Sequence, residues 1–343
     1  VNDAHAFVYW ANLGLGGTTI GRATQDGGTP TQGFITGASG PCGVAVNGSH
    51  IYWANSSSSS IGRAGLDGGG ANQSLITGVQ NGPCGVAVDS DHVYWATGGG
   101  GTKIGRASLD GSNTDHDFIT GVSPPCGVAV DGAHVYWAHS SPSGIGRADL
   151  DGGNVNHNFI PVPLGNPCGV AVDGYHVYWG NGTKAVGRAD LDGGNVNQSF
   201  IGPTSSYVCG VAVDSTHIYW SNGGFLGTTI GRANLDGTGM NDSFLTGSDR
   251  ACGVATDLPP LAAPVVLPPV VTPPATTTTA VSAPNAPAPV PAPPATIDQL
   301  VKGLPSTKRC LSRRSFTIRL AGPKGLTVTK ATVYVNGTRT AGS

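Results

Sequence analysis

Six cysteines, Cys42, Cys84, Cys126, Cys168, Cys209 and Cys252, recur about every 42 residues, each opening the tetrapeptide CGVA. Thiols at one repeated position have three chemistries open to them: burial as small hydrophobes, pairing into disulfides, or coordination of a soft metal ion. No C-x-x-C pair accompanies them, so they are weak candidates for a metal site. In a six-fold ring the spacing of neighbours equals their distance from the axis. At about 7 Å or more, neighbouring Cα atoms lie outside the disulfide window. Free thiols packed between repeats are therefore expected, with interblade bridges and a soft-metal ring as the alternatives. The seventh cysteine, Cys310, stands alone near the C-terminus, and an unpaired cysteine suggests a partner elsewhere.

Other ionisable residues follow the same period. His5, His50, His92, His134, His176 and His217 mostly stand three residues after an aspartate, or after Asn47 in the case of His50. That spacing predicts an Asp–His brace across a turn. Asp26, Asp67, Asp110, Asp151, Asp192 and Asp236 precede glycine. The run DGGNVN at 151–156 is reminiscent of a calcium loop, but Gly153 and Val155 stand where D-x-[DN]-x-[DN]-G needs oxygen ligands. A hairpin turn is expected instead. Arg22, Arg63, Arg106, Arg147, Arg188 and Arg232 belong to a repeated IGRA-like segment and are expected to pair with aspartates on strand faces. Six equivalent copies suit a scaffold better than catalysis, which needs an asymmetric set of groups. The chain also contains no glutamate, the carboxylate most often used for acid–base work. No cofactor is expected.

Composition narrows the class. Of 343 residues, 55 are glycine and only 11% are charged, as in a turn-rich β protein. Residues 1–257 carry nine Lys/Arg against nineteen Asp, whereas residues 297–343 carry nine Lys/Arg against one Asp. The acidic body argues against nucleic acid as a partner. No run of 18 apolar residues suggests a transmembrane helix. The chain opens directly on strand-like residues, Val1 to Trp10, without a signal-peptide pattern, as expected where a leader has been removed or left out.

The elements that must position these residues are legible in one copy. CGVAVD (Cys126–Asp131), HVYWAH (His134–His139), GIGRADL (Gly144–Leu150) and NHNFIP (Asn156–Pro161) read as four short strands joined by tight turns. Four strands per 42 residues is the content of a propeller blade. The first copy lacks its CGVA strand, and the last CGVA (Cys252–Thr256) has no YW strand after it. Together they complete one blade, which predicts an all-β, six-bladed propeller over residues 1–257, closed by the C-terminal strand and leaving no long edge exposed.

The pattern CGVAVDGxHVYWAN…IGRADLDG resembles the YWTD six-bladed propellers of lipoprotein-receptor type and, more loosely, the NHL and other bacterial propellers. The matching residues are Tyr52-Trp53, Tyr94-Trp95, Tyr136-Trp137, Tyr178-Trp179 and Tyr219-Trp220, the IGRA strands and the Leu66-Asp67-Gly68 type of turn. Here the Thr-Asp of YWTD is Ala-Asn, Ala-Thr, Ala-His, Gly-Asn or Ser-Asn, so a network built on that aspartate is not carried over. Lactonases of gluconolactonase type and streptogramin lyases are also six-bladed or bacterial propellers. They lean on a glutamate, which this chain lacks.

Residues 258–296 are rich in Pro, Ala, Thr and Val and read as an extended linker. Residues 297–343, with SFTIRL (Ser315–Leu320) and ATVYVNG (Ala331–Gly337), look like the start of an immunoglobulin-like β module. Their basic run, Lys302, Lys308, Arg309, Arg313, Arg314 and Arg319, suits contact with an anionic cell-envelope surface.

Individuality is concentrated in the loops after the second strand and between blades, all on one face. Leu13, Leu15, Lys103, His139, Lys184, Tyr207, Phe225 and Leu226 are the expected ligand-binding residues, since recognition usually resides in loops on a rigid frame. The expected role is a monomeric, extracellular or surface-displayed bacterial scaffold that binds a protein or glycan. A propeller enzyme of lyase or lactonase type and a metal-binding or redox protein using the cysteine ring are the alternatives.

Overall fold

The computed structural model describes residues 6–14, 16–163, 165–223 and 227–260, and the backbone of four short strands further on. The chain divides into two compact units, Val1–Val265 and Val266–Ser343. The first is all-β. Its 24 strands form six four-stranded antiparallel sheets arranged as the blades of a propeller. Blades two to six comprise residues 41–76, 83–120, 125–161, 170–201 and 208–246. Each runs in chain order from the axis outwards. Blade one is composite. Phe7–Asn12, Thr19–Thr24 and Thr31–Thr36 supply its outer strands, and Ala251–Thr256 supplies the innermost one. Val8 faces Thr256 and Trp10 faces Val254 in that closing ladder, as the offset of the first and last copies predicts.

The YW dipeptide explains why blades stack. Successive side chains of a strand point to opposite faces, so Tyr and Trp look to different neighbours. Tyr9 packs with Trp53, Tyr52 with Trp95, Tyr94 with Trp137, Tyr136 with Trp179 and Tyr178 with Trp220, each pair spanning two consecutive blades. Tyr219 of blade six meets Trp10 of blade one, which closes the circle. All twelve rings are fully buried. Each Trp lies over the glycine of the adjacent IGRA strand. A Cβ at Gly146, for instance, would stand 2.2 Å from Cε2 of Trp137, so that glycine is the seat of the indole.

In the second unit, Val301–Lys302 pairs with Arg319–Leu320, and Val333–Val335 with Thr338–Thr340. The other residues of the expected linker beyond Pro260, and of the expected immunoglobulin-like module, lie outside the described residues, as do His5 and Cys310. No helix among the described residues is long and apolar enough to cross a membrane.

Candidate functional site

The innermost strands line an axial channel whose two ends differ. At the end where these strands start, the six Cys-Gly pairs come together around a space of only about 40 Å³, lined by those twelve residues alone. Glycine makes this possible. A Cβ at Gly43 would lie 2.4 Å from the carbonyl oxygen of Cys84, and the same collision recurs from each blade to the next, ending with Gly253 against Cys42.

This close approach corrects the expectation of free thiols. Cys42–Cys84, Cys126–Cys168 and Cys209–Cys252 are disulfides, with Cα–Cα separations of 5.1, 5.0 and 5.2 Å. The 7 Å spacing assumed from the sequence fails because each of the six ring cysteines is followed by glycine, which has no side chain and lets neighbouring backbones touch. The three bridges join blades two to three, four to five, and six to one. Between bridges, sulfurs are 3.3 Å apart at Cys42 and Cys252, 3.7 Å at Cys84 and Cys126, and 3.8 Å at Cys168 and Cys209.

The opposite end opens as a cup of about 490 Å³ walled by repeated Val-Ala-Val segments such as Val128–Val130. Its mouth carries the turn that leads into each second strand. There the aspartate acts as a turn cap. Asp131 Oδ1 accepts the backbone N–H groups of Ala133 and His134 at 2.7 Å, and Oδ2 accepts the Tyr136 hydroxyl at 3.0 Å. Asp89 and Asp173 repeat the arrangement with Tyr94 and Tyr178. The expected Asp–His brace is therefore chiefly a bond to the histidine's backbone, while the imidazole leans on the tyrosine ring at 5.8–6.2 Å. Burial, helped in each case by a neighbouring aspartate, raises the phenols of Tyr9, Tyr94, Tyr136, Tyr178 and Tyr219 well above their ordinary range. Burial and then the Arg63 and Arg232 charges lower His50 and His217 respectively. Burial raises the Asp257 carboxyl, which accepts the Phe7 N–H at 2.7 Å. Beyond Asp257 the chain reaches this mouth, where Leu258, Pro259 and Pro260 line the cup. Both prolines also border a groove beside the Asp131–Ala133 and Asp173–Gly174 turns.

The repeated arginines do not pair with aspartate as expected. Arg147 stacks over Phe159 at 4.0 Å and donates to the carbonyl of Leu191 in the next blade at 3.1 Å. Arg22 and Arg106 do the same with Phe34 and Phe118, and Arg232 joins blade six to the Gln25 carbonyl of blade one at 2.7 Å. Each is an interblade rivet. The Asp-Gly turns are hairpins in which Oδ1 of Asp67, Asp151 and Asp192 accepts the N–H two residues on.

Five of the expected ligand-binding residues lie among the described residues, and they differ in availability. Tyr207 is 45% exposed, and Lys184 is exposed with its Nζ 3.5 Å from the Ser205 carbonyl. These two come from adjacent connections at the blade five–six boundary. Lys103 is half-buried in an ion pair with Asp117. Leu13 packs on the cysteine cluster. His139 is buried, its Nε2 2.7 Å from the His157 carbonyl. It occupies the place where Asn12, Asn55, Asn181 and Asn222 tie the second strand to the fourth strand's backbone, so its individuality is that of a substituted scaffold position. Leu15, Phe225 and Leu226 lie outside the described residues. The apolar cup has no counterpart in the sequence reading. Its only sequence signal is the Val-Ala-Val of five innermost strands and the Val-Ala-Thr of the sixth, which reads equally as core.

No protein-family model matches the chain, and no curated protein matches it. Solved structures do. The chain is similar to a protein in a nidogen–laminin complex, at TM-score 0.63 and 20% identity, over 75% of this chain and all of that one. It is also similar to a streptogramin B lyase (0.52, 16%, 73% and 91%) and to a virginiamycin B lyase from Staphylococcus aureus (0.52, 14%, 75% and 92%). At these identities the likeness is one of fold, and the chain is a six-bladed β-propeller.

Proposed function

We propose that this propeller is a non-enzymatic recognition scaffold, working as a monomer outside the cell, which captures a protein or glycan on the loop rim around its cysteine ring. The observation that carries the reading is the contrast between the two faces. On the cup face, the repeated aspartates are engaged as turn caps and tyrosine acceptors. On the rim, Tyr207 stands exposed, and the exposed Lys184 reaches the Ser205 carbonyl of the same connection at 3.5 Å. Tyrosine is among the residue types enriched in interface hot spots, and its ring offers a large apolar face with a polar tip to a ligand. Three disulfides fit an oxidising compartment. The fold neighbour from a nidogen–laminin complex supports a protein ligand. The basic C-terminal residues would add an anionic envelope polymer as a second contact.

The test is capture of the full chain on a glycan array and on a panel of immobilised proteins. Combining Tyr207→Ala with Phe225→Ala and Leu226→Ala should weaken capture by more than about tenfold and leave the melting temperature unchanged. Undiminished capture by that variant refutes the rim as the site.

A further inference from the structure

We propose that the cysteine ring, once its disulfides are reduced, is a binding site for a soft, low-coordinate metal cation of the Cu(I) class. Cys42, Cys84 and Cys252 come from three consecutive strands around the axis, and their sulfurs all lie within 4.8 Å of one another. Metal–thiolate bonds of about 2.3 Å at trigonal angles place sulfurs about 4 Å apart. The 3.3–3.8 Å separations between neighbouring bridges are already close to that spacing. The other three ring cysteines, Cys126, Cys168 and Cys209, include one neighbouring pair of sulfurs 3.8 Å apart, Cys168 and Cys209, and would supply a second triad once the bridges open, so about two ions per ring are proposed. The enclosing space is lined only by cysteine and glycine. With no nitrogen or oxygen side chain in it, a hard cation finds no ligand, and thiolate sulfur selects a soft one. The lining offers no donor besides the six sulfurs, so a triad lacks the fourth ligand of tetrahedral Zn(II) and suits two- or three-coordinate Cu(I).

The chemistry balances simply. Each bridge is opened by a dithiol, which becomes a disulfide while two protein thiols form. Three thiols then lose their protons as one metal ion binds. Cys84, Cys126 and Cys168 are only half-buried, which gives a reductant its entry. The bridge between Cys126 and Cys168, with both sulfurs so placed, opens first. Exchange with a small-molecule disulfide, which is reduced to two thiols for each bridge re-formed, returns the cysteines to disulfides and expels the metal, so the ring is a redox-gated site. This inference does not depend on the rim reading.

The experiment uses the full chain carrying Cys310→Ser. It is reduced anaerobically, freed of reductant and titrated with Cu(I) against a colorimetric chelator. About two ions per chain are expected, with a thiolate-to-copper charge-transfer band and protection of the six thiols from alkylation. The oxidised chain should bind none. The C42S/C252S double variant should fall to about one ion. Far-UV circular dichroism reports whether the sheets survive reduction. Loss of the β signal on reduction overturns the proposal, as does a reduced, folded chain that leaves Cu(I) with the chelator. A double variant that still takes up two ions overturns it as well.

Discussion

At the residue scale, the repeated glycines and tyrosines account for most of what the blades have in common. Gly146 is occupied from above by Trp137, and a methyl there would overlap the indole. Gly146→Ala should destabilise the propeller by about 1–3 kcal/mol, the usual cost of overpacking, as a lowered urea midpoint at unchanged slope. The buried phenols make a second prediction. An unfolded tyrosine ionises near pH 10, whereas Tyr9, Tyr94, Tyr136, Tyr178 and Tyr219 are held protonated well above it. Above about pH 10 the unfolded chain therefore releases protons that the folded chain keeps. Stability is fully present below that pH and falls as pH rises further. Tyrosinate absorbance should show these phenols ionising together with loss of the sheet signal. Early, non-cooperative ionisation of all five would contradict the burial described.

At the element scale, neighbouring blades are fastened by one aromatic pair and, at most boundaries, one arginine rivet. Arg232 matters most because it crosses the seam between the last and first blades. Arg232→Ala removes the stack on Phe244 and leaves the Gln25 carbonyl without that donor, a loss of about 1–3 kcal/mol. The same change at Arg63, which lacks a phenylalanine beneath it, should cost less. Thermal melts of the two variants compare them directly. The closing strand is a stronger device. A chain ending at residue 250 leaves the Val8–Trp10 edge unpaired, and exposed apolar edges aggregate. That chain should be insoluble or oligomeric by size-exclusion chromatography, whereas one ending at Pro260 should be monomeric.

At the scale of the whole molecule, the ring is held by strand closure and by three covalent staples, each spanning 42 or 43 residues of chain. Loops of that length correspond to about 4 kcal/mol of loop-closure entropy per bridge. Reduction should therefore lower the denaturant midpoint markedly. Because blade packing does not depend on the sulfurs, the sheets should persist at 25 °C. Unfolding on mild reduction alone would mean that the interblade aromatics contribute less than their burial implies.

Much of this was legible in the sequence because a repeat reports each feature six times. The four-strand blade and the split first blade both follow from period and strand alternation. The rest depended on distance. Whether six cysteines stand apart or bridge is decided by how closely neighbouring backbones approach, and His139 reads as a rim residue until the strand carries it inward to the His157 carbonyl. Arginine likewise found a carbonyl of the next blade rather than an aspartate of its own.

The order of residues by itself determined the number of blades, their content and the manner of closure, since these rest on local strand alternation and on counting. Only the tertiary structure decided the pairing of the thiols, the partners of the charged groups and the existence of an apolar cup. Those depend on the radius of the ring, which is set by side chains missing at glycine and by aromatics meeting across blades, contacts between residues some 40 positions apart that no local pattern records.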